Sequence, residues 1–393
     1  MVALFGRTLS RAALQRQVGS TAQIFGVTLV ELADGPARGV RALEFRTGAG
    51  LLFSVLVDRS MDIGRLEFRG VPLAWQSGTG FRGPWFHDAM DEAGQGFMRG
   101  FSGFLCTCGF DHIRQPESGP ADHFAMPSRK AIDHPLHGRG ALAPARLVGY
   151  GERWDGDECT LWCEGVVAQV QVMGENLTLT RRVEAKADGT SFAIHDTVRN
   201  EGFARTPHML LYHINLGWPL LDDGARFRAP VRATLAANHP REAQRGGYRT
   251  QSGPQADFVQ QVFGHDAVPD PAGRVPAALI NDRIGLGVAV DYPHAAFPCL
   301  QQWQGFGEGL YGFGIEPATS HWGTRADAAQ NGEIIWLAHG ESRAYDTRIA
   351  ILDGTPAIAA FDVRVDAIHP QLADERPVRS RQPATPAQAP RPR

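Results

Sequence analysis

Apolar and polar residues alternate with a period of two along most of this 393-residue chain, which is the pattern of β-strands that bury one face. Turn signals separate the alternating segments, for example Arg69-Gly70 and Ala187-Asp188-Gly189. Near the N-terminus the apolar spacing is instead helical over Ser10–Val18, where Ser10 is placed to cap a helix and Gly19 to end it. The segments predicted as strands are 22–32, 40–46, 51–57, 64–73 (a hairpin), 145–151, 158–172, 177–185, 191–198, 207–216, 284–292, 299–304, 309–316, 334–337 and 342–352.

No stretch alternates strands with helices, so the pattern argues against a Rossmann-like or barrel α/β fold. Abundant Gly (45) and Pro (26) favour many turns between short strands. We therefore predict an all-β fold, a large antiparallel β-sandwich over residues 20–370, after a helical segment at 1–19 and before a disordered, Pro- and Arg-rich tail at 371–393. Two long connections interrupt the sandwich: a loop-rich one at 76–134, which we expect to be functional, and a polar, irregular one at 222–274.

The composition is that of an ordinary globular protein, with 43% hydrophobic residues, 21% charged residues and a formal net charge of -3. No basic excess indicates a nucleic acid or an anionic membrane as partner. No apolar stretch reaches the length of about 18 residues that a membrane span needs. Three arginines within the first 16 residues argue against a signal peptide, so we expect a cytoplasmic protein.

The five cysteines, an odd number, do not suggest a disulfide framework. Cys106 and Cys108 form one close pair, and Cys159 and Cys163 form another. Close cysteine pairs also occur in zinc sites. Both pairs lie in alternating apolar segments, however, which favours buried thiols, so we expect no metal site.

Three polar side chains stand in otherwise apolar, strand-like surroundings: His137 in HPLHGRG, His213 in LLYHINLGWP and Glu316 in YGFGIEP. Two histidines and a carboxylate can move protons to and from a substrate near neutral pH, and apolar surroundings raise the pKa of a carboxyl group. His208 lies five positions before His213, so the two side chains point to opposite faces of one strand. Each group also has an ordinary explanation: a histidine bonded to a backbone carbonyl, a solvated turn, or a glutamate that points to water.

Further residues are candidates for contacts with a polar substrate. Arg59 and Asp62 in VDRSMDIGR suit contacts with hydroxyl groups, or equally a structural ion pair. Arg139, between two glycines, can hold a polar oxygen. Tryptophans beside loops present flat faces that pack on the C–H faces of a sugar. The substrate-binding candidates are Arg59, Asp62, Arg99, Asp111, Arg139, Asn215 and Trp303.

The order of these segments resembles the aldose 1-epimerase (galactose mutarotase-like) superfamily: a His-Gly loop, a His-x-Asn-Leu strand end and a late G-x-E-P, followed by GEIIWLAHGESRAYDTRIAIL. The segments VDRSMDIGRLEFRGVPLAW, GFLCTCGFDHI and LYHINLGWPLL resemble a divergent branch labelled as a domain of unknown function. The resemblance covers about residues 20 to 355. It implies a β-supersandwich with an open cleft and no metal or organic cofactor. By position, Glu316 would take the proton from the anomeric hydroxyl, His213 would protonate the ring oxygen, and His137 would position or polarise the sugar.

The chain also departs from the superfamily pattern. The segment from His213 to Leu216 is two residues shorter than the usual His-x-x-Phe-Asn arrangement, and no clear Asn-Arg motif precedes it. We identify no counterpart of the aspartate that usually holds sugar hydroxyls. These departures suggest a remodelled cleft on a retained fold.

The leading functional hypothesis is an aldose 1-epimerase or related mutarotase that acts on a monosaccharide or modified sugar. One alternative is a non-catalytic carbohydrate-binding or sensor protein that uses the same cleft. Another is a different acid–base sugar isomerase or lyase, with a metal at His134 and His137. The sequence leaves open which sugar is bound and what the oligomeric state is.

Overall fold

The computed structural model of the protein describes residues 1–126, 128–238 and 247–370. Antiparallel strands are its main regular structure. The helices are Arg11–Gln15, Asp91–Gly94, Arg325–Gln330 and Gly354–Ile368, with 3-10 turns at Thr21–Gln23, Gly35–Ala37, Pro84–Phe86 and Gly96–Arg99. The strands are β1 (Val2–Leu4), β2 (Arg7–Leu9), β3 (Gly26–Glu31), β4 (Arg41–Arg46), β5 (Leu51–Leu56), β6 (Asp62–Phe68), β7 (Val71–Pro72), β8 (Leu105–Phe110), β9 (Glu117–Pro120), β10 (Ala131–His134), β11 (Ala145–Asp155), β12 (Glu158–Val170), β13 (Asn176–Lys186), β14 (Ser191–Asn200), β15 (Thr206–Leu216), β16 (Arg226–Arg228), β17 (Val231–Ala237), β18 (Gln261–Ala267), β19 (Arg274–Asn281), β20 (Leu286–Pro293), β21 (Cys299–Gly305), β22 (Gly312–Ala318), β23 (Ile335–Leu337) and β24 (Ser342–Asp353).

An eight-stranded and a twelve-stranded sheet enclose one large apolar core. The strand order in the smaller sheet is β11-β12-β13-β14-β24-β20-β19-β16. The larger sheet runs β17-β18-β21-β22-β15-β8-β6-β5-β4-β3, with β23 beside β15 and β7 beside β6. The pairings in both sheets are antiparallel. This architecture confirms the predicted large antiparallel β-sandwich.

Strand β15 lies near the middle of the larger sheet, and its successive side chains point alternately into the core and to the outer face of the sheet. Tyr212 points into the core between the sheets, and its neighbour His213 lies on the outer face. His208 lies on the core face, opposite to His213, as predicted. Its Nδ1 is 2.8 Å from the carbonyl oxygen of Phe110, and its Nε2 is 2.6 Å from the hydroxyl of Tyr345.

A buried arginine joins the two sheets behind β15. Arg181 on β13 is 0% exposed, and its Nε and Nη2 donate to the two carboxylate oxygens of Asp196 at 2.9 and 2.6 Å. Its Nη1 donates across the core to the hydroxyl of Thr107 on β8 at 2.9 Å and lies 3.5 Å from a carboxylate oxygen of Asp62 on β6. The Tyr212 hydroxyl donates to Asp196. These bonds fix the position of three strands of the larger sheet relative to the smaller one.

Several elements differ from the prediction. The N-terminal helix is shorter, Arg11–Gln15, although Ser10 does cap it by accepting a hydrogen bond from the backbone of Ala13. The connection 222–274 is not irregular throughout, since it supplies β16, β17 and β18, and the connection 76–134 contains β8 to β10. The helix Gly354–Ile368, which the sequence pattern did not predict, packs on the outer face of the smaller sheet. The predicted disordered tail lies outside the described residues. Within the described ranges, no helix is both long and apolar enough to cross a bilayer.

Replacing Arg181 by Met should destabilise the protein by about 3–5 kcal/mol, because it leaves the carboxylates of Asp196 and Asp62 buried without their cation. Arg182→Met is the matched control. Arg182 is the neighbouring residue on β13, points to the opposite side and pairs with Glu164 and Glu184 at partly exposed positions, so its loss should cost less than about 1 kcal/mol. Urea unfolding followed by circular dichroism measures both values. Equal losses in the two variants would contradict the role given to Arg181.

Candidate active site

His213 and Glu316 face each other on neighbouring strands. The register of β15 with β22 pairs Ile214 with Ile315 and Leu211 with Ala318, which places His213 opposite Glu316. His213 Nε2 lies 3.3 Å from Glu316 Oε1. The two residues are only 5% and 4% exposed. The structure therefore brings the predicted acid and base together in a position largely shielded from water.

The glycine in the GFGIEP segment makes this approach possible. Gly314 precedes Glu316 by two positions and so shares its face of β22. A Cβ at Gly314 would lie 2.7 Å from Glu316 Oε1 and 3.3 Å from His213 Cε1. Any larger residue there would push the carboxylate and the imidazole out of place.

Asn215 fixes which nitrogen of His213 carries the proton. The side-chain amide of Asn215 donates to the carbonyl oxygens of Gly103 and His213, each at 3.0 Å. Its Oδ1 must then be the acceptor at 2.5 Å from His213 Nδ1. The neutral imidazole is therefore protonated on Nδ1, and Nε2 presents its lone pair to Glu316. We predicted a substrate contact for Asn215, but its side chain is fully used in orienting His213.

Burial controls the protonation of the pair. It raises the pKa of Glu316 to about 8, against the opposing charge of Arg114. It also lowers the pKa of His213 to about 4, although the hydrogen bond that His213 Nδ1–H donates to Asn215 Oδ1 acts in the other direction. Both shifts follow from the cost of holding an ion away from water. Between these pH values the pair holds one proton.

His137 lies beside the pair, in the loop that follows β10. Its ring centroid is 5.7 Å from that of His213. His137 has a left-handed backbone (φ 60°), held by a hydrogen bond from its N–H to the carbonyl of Arg114 at 2.8 Å. In return the Arg114 N–H donates to His137 Nδ1 at 3.3 Å. Nδ1 is thus an acceptor, which leaves the proton of the neutral ring on Nε2, and burial lowers the pKa of His137 well below its usual value. His137 is therefore a neutral hydrogen-bond donor.

Two buried polar residues that we did not predict adjoin Glu316. Arg114 donates to the carbonyl and hydroxyl oxygens of Ser320 at 2.6 and 2.8 Å. Gln301 lies opposite Glu316 on β21 and donates to the same carbonyl at 3.1 Å. Arg114 Nε, Gln301 Oε1 and Glu316 Oε1 have no hydrogen-bond partner. Buried polar atoms are costly when unpaired, so these three atoms mark a polar cluster at an otherwise closely packed position beside Glu316.

The sequence held a signal for one of these two residues. Gln301 stands two positions before Trp303 in an alternating strand, so the two share a face. Arg114 lies in the loop after β8, where the alternation of apolar and polar residues no longer predicts which way a side chain points.

An aromatic wall covers His213. It consists of Trp75, Phe101 and Trp303, whose ring centroids lie 5.0 Å (Trp75 to Phe101), 5.6 Å (Trp75 to Trp303) and 5.8 Å (Phe101 to Trp303) apart. Phe101 and Trp303 lie 4.7 and 5.6 Å from the imidazole of His213. Trp303, one of the predicted substrate-binding residues, is therefore in the site.

The structure does not bring the remaining predicted residues into this group. Arg59 is buried and donates to the carbonyls of Gly80 and Gly100, so it supports the loop that carries Phe101. Asp62 faces the core, where it accepts from Thr107 and lies beside Arg181, and so does not reach the cleft.

Three other predicted contacts are made within the protein. Arg99 is exposed and pairs with Glu92. Arg139 donates to the carbonyl of Asp133. Asp111 accepts from Gln169 at 2.8 Å and lies 3.2 Å from His134 Nδ1. Arg99 and Arg139 bind partners seven and six positions away, whereas the partner of Asp111 on β12 lies 58 positions further along the chain.

Among the residues that the structure describes, neither the cysteines nor the histidines form a recognisable metal centre. All five cysteines are free and buried. His134 lies with Asp111 and His112, apart from His137, whose Nδ1 already accepts from Arg114. Within the described residues, no three His, Cys, Asp or Glu side chains are grouped so that they could hold a metal ion.

The architecture is that of the galactose mutarotase-like β-sandwich proteins. A crystal structure from Klebsiella pneumoniae subsp. pneumoniae MGH 78578, described as a candidate aldose 1-epimerase, superposes with a TM-score of 0.80 at 23% identity, over 88% of this chain and 90% of that one. A galactose mutarotase-like protein from Clostridium acetobutylicum gives 0.58 at 13% identity, over 85% and 100%. The galactose 1-epimerase of Lactobacillus acidophilus NCFM gives 0.52 at 13% identity, over 84% and 99%.

The chain belongs to a family described as a domain of unknown function, DUF4432, whose model matches residues 37–351. No curated protein matches the chain. The predicted resemblance to the mutarotase-like superfamily and to a branch of unknown function is confirmed.

Replacing Asn215 by Leu should remove the acceptor that holds the proton on His213 Nδ1. We expect the neutral ring of His213 to be no longer protonated on Nδ1 alone. Long-range ¹H–¹⁵N NMR of His213 measures this change, because the ¹⁵N shifts of the two ring nitrogens depend on which one carries the proton. Asn215→Asp is the matched variant, because it keeps an oxygen acceptor and should preserve Nδ1–H while raising the pKa of His213. An unchanged ¹⁵N spectrum of His213 in the Leu variant would contradict the role assigned to Asn215.

Proposed function

We propose that this protein is an aldose 1-epimerase-like isomerase, which interconverts the anomers of a monosaccharide or modified sugar. One observation carries the proposal: Glu316 and His213 lie 3.3 Å apart on adjacent strands, in a buried site with a second histidine, His137, and an aromatic wall. The fold neighbours described as aldose 1-epimerases and mutarotases support the same class of reaction.

Anomer exchange requires a proton acceptor and a proton donor close together. The hydroxyl that loses a proton and the ring oxygen that gains one are bonded to the same carbon. A base and an acid must therefore lie side by side, within a few ångströms of each other. The pair formed by Glu316 and His213 has this spacing. Between the pKa of His213, about 4, and the pKa of Glu316, about 8, the pair holds one proton.

In the proposed reaction the single proton of the pair first moves from Glu316 to His213 Nε2, across the 3.3 Å that separates them. The ionised Glu316 then accepts the proton of the anomeric hydroxyl. His213, protonated on Nε2, donates to the ring oxygen, and the C1–O5 bond breaks to give the open-chain aldehyde. Rotation about the C1–C2 bond and the reverse proton transfers close the ring as the other anomer. Asn215 supports the imidazolium by accepting from Nδ1. Arg114 opposes the effect of burial on Glu316, because its positive charge lowers the pKa of the carboxyl.

His137 would act as a neutral donor. Its Nε2 carries the proton, because Nδ1 accepts from the backbone of Arg114. A neutral N–H beside the acid–base pair can polarise or position a sugar oxygen without adding charge to the site. Gln301 and Arg114, with unpartnered atoms next to Glu316, would hold the neighbouring hydroxyls.

Glu316→Gln and His213→Asn should each lower kcat for anomer interconversion by about 10²–10⁴-fold, because each removes one proton-transfer group. Polarimetry or NMR exchange spectroscopy of an aldose panel measures the rate. Glu308→Gln, an exposed glutamate in the β21–β22 turn, is the matched control and should retain full activity. Retained turnover in Glu316→Gln would overturn its assignment as the base. Sugar binding by the wild type without turnover of any aldose would instead favour a carbohydrate-binding or sensor protein.

The pH dependence of kcat/KM should be bell-shaped, with limbs near pH 4 and pH 8. Below about 4 both groups are protonated and no base is available. Above about 8 the pair loses its last proton and no acid is available. Only the state with one proton reacts, so the limbs belong to the pair as a unit. Asn215→Asp should move the acidic limb upward. A rate that keeps rising above pH 9 would contradict this model.

A further inference from the structure

We propose that residues 96–103 form a lid over the acid–base pair, that Arg59 holds this lid closed, and that the lid opens to admit the sugar. The entry of a sugar rests on the proposed function, whereas the opening of the lid can be measured without any turnover. Two properties of the molecule carry the inference: the burial of the pair, and the way in which residues 96–103 are attached to the sandwich.

The acid–base pair is closed off from solvent in this structure. Glu316 and His213 are 4% and 5% exposed, and Glu316 Oε1 has less than 1 Å² of accessible surface. A sugar that exchanges protons with the pair must come within hydrogen-bond distance of both side chains. No sugar hydroxyl reaches these atoms while the surrounding side chains stay in place, so one part of the surroundings must move.

Most of the surroundings of the pair are held by backbone hydrogen bonds. Trp303 belongs to β21, and the backbone N–H of Trp75 donates to the carbonyl of Asn215 on β15 at 3.1 Å. The loop that carries His137 is tied to β8, because the Gly109 N–H donates to the carbonyl of His137 at 2.8 Å. These groups are therefore fixed to the sandwich.

The lid is attached differently. Among the described residues, no backbone–backbone hydrogen bond joins residues 96–103 to another segment of the chain. Its two aromatic rings face the site: the Phe101 ring centroid lies 4.7 Å from that of His213, and Phe97 packs on Phe101 at 5.0 Å. Met98, the residue after Phe97, is 52% exposed. The chain here has the site on one side and solvent on the other.

Side chains hold the lid in place. Arg59 is 0% exposed, and its Nη2 donates to the carbonyl oxygens of Gly100 at 2.5 Å and of Ser102 at 3.4 Å. Ser77 Oγ donates to the carbonyl of Phe101 at 2.7 Å. A hydrogen bond from a charged donor is roughly twice as strong as a neutral one, so Arg59 provides the strongest polar restraint on the lid.

The two ends of the lid lie at glycines with a left-handed backbone, Gly94 (φ 86°) just before it and Gly103 (φ 122°) at its end. Both glycines are anchored, since the carbonyl of Gly94 accepts from the Leu136 N–H at 2.8 Å and that of Gly103 accepts from the side chain of Asn215 at 3.0 Å. Glycine changes its backbone angles at low steric cost, so these are the points about which the lid can turn.

The test uses Cys106 as a reporter of opening. Cys106 lies opposite His213 on β8, is 0% exposed, and its Sγ donates to the carbonyl of Ser102 in the lid at 3.6 Å. Cys163, also 0% exposed, lies in the core between the sheets and is the internal control. The wild-type protein is treated with iodoacetamide under native conditions, and peptide mass spectrometry follows each thiol.

We expect Cys106 to be labelled at least about 10-fold faster than Cys163, because Cys106 needs only the local opening of the lid whereas Cys163 needs the sheets to separate. Equal rates for the two thiols would overturn the inference, because they would show that the lid opens only when the whole protein unfolds.

A variant tests the role of Arg59. Arg59→Met removes the charged donor, so it should raise the ratio of Cys106 to Cys163 labelling by about 10- to 100-fold. Arg65→Met, the same change at an exposed position on β6, should leave the ratio unchanged. Ser77→Ala removes a neutral bond to the lid and should raise the ratio by about 2- to 10-fold, which keeps the test available if Arg59→Met does not fold. A ratio equal to that of the wild type in either lid variant would overturn the inference.

The pH profile of anomer exchange separates this role of Arg59 from a purely structural one. The lid keeps water from the pair, and burial is the first cause of the shift of both pKa values. In Arg59→Met the limbs near pH 4 and pH 8 should therefore move towards each other. The titratable and charged groups that face the pair, Arg114, His137, Cys106 and Cys108, do not belong to the lid and keep their places.

Unmoved limbs in Arg59→Met would overturn the inference and leave the proposed function standing. Fast labelling of Cys106 in a wild-type protein that turns over no aldose would overturn the proposed function and leave the lid standing.

Discussion

The position of the site depends on a buried ion pair that contributes no atom to it. Arg181 holds Asp196 in the smaller sheet and reaches Thr107 in the larger one, and Tyr212 donates to the same carboxylate. Tyr212 is the residue before His213, and Thr107 is its partner across β8. Fixing the inner face of β15 in this way fixes the outer face too, because adjacent residues of a strand cannot rotate independently. Such a pair contributes more to a unique arrangement than to net stability, since the desolvation of its charges offsets much of their attraction.

Burial then has two effects on the outer face of the sheet. It raises the pKa of Glu316 and lowers that of His213, so that the pair holds a single proton across the neutral range. It also places aromatic carbon rather than water beside His213, in the rings of Phe101 and Trp303. Two hydrogen bonds add order to this arrangement: His213 Nδ1–H donates to Asn215 Oδ1, and the backbone N–H of Arg114 donates to His137 Nδ1. Each hydrogen bond determines the tautomer of one neutral histidine. Nε2 of His213 therefore carries a lone pair, whereas Nε2 of His137 carries a proton.

The comparisons and the site describe the protein at different levels. Structural similarity at 23% identity establishes a galactose mutarotase-like sandwich. The family model shows that the chain belongs to DUF4432, a family whose function is unknown. A fold can host several reactions, so the proposed anomer exchange rests on the row formed by Gln301, Glu316 and His213. The rings of Trp75, Phe101 and Trp303 pack together beside His213 at one end of this row.

The sequence alone predicted many of the strands and their buried faces, though not β8 to β10 or β16 to β19, and it singled out Glu316, His213 and His137. A period of two is a local property, so it separated His208 from His213 and placed Glu316 in an apolar strand without knowledge of the partners. It could not determine which strands are neighbours or where loops return. Arg114 was therefore missed, Asp62 was assigned to the cleft although it faces Arg181, and Asn215 was assigned to the substrate although it holds His213. The tertiary structure decided these points, because Arg114 and Asp62 bind partners more than a hundred positions away in the chain. The side chain of Asn215 is likewise oriented by the distant carbonyl of Gly103, which leaves its Oδ1 facing His213.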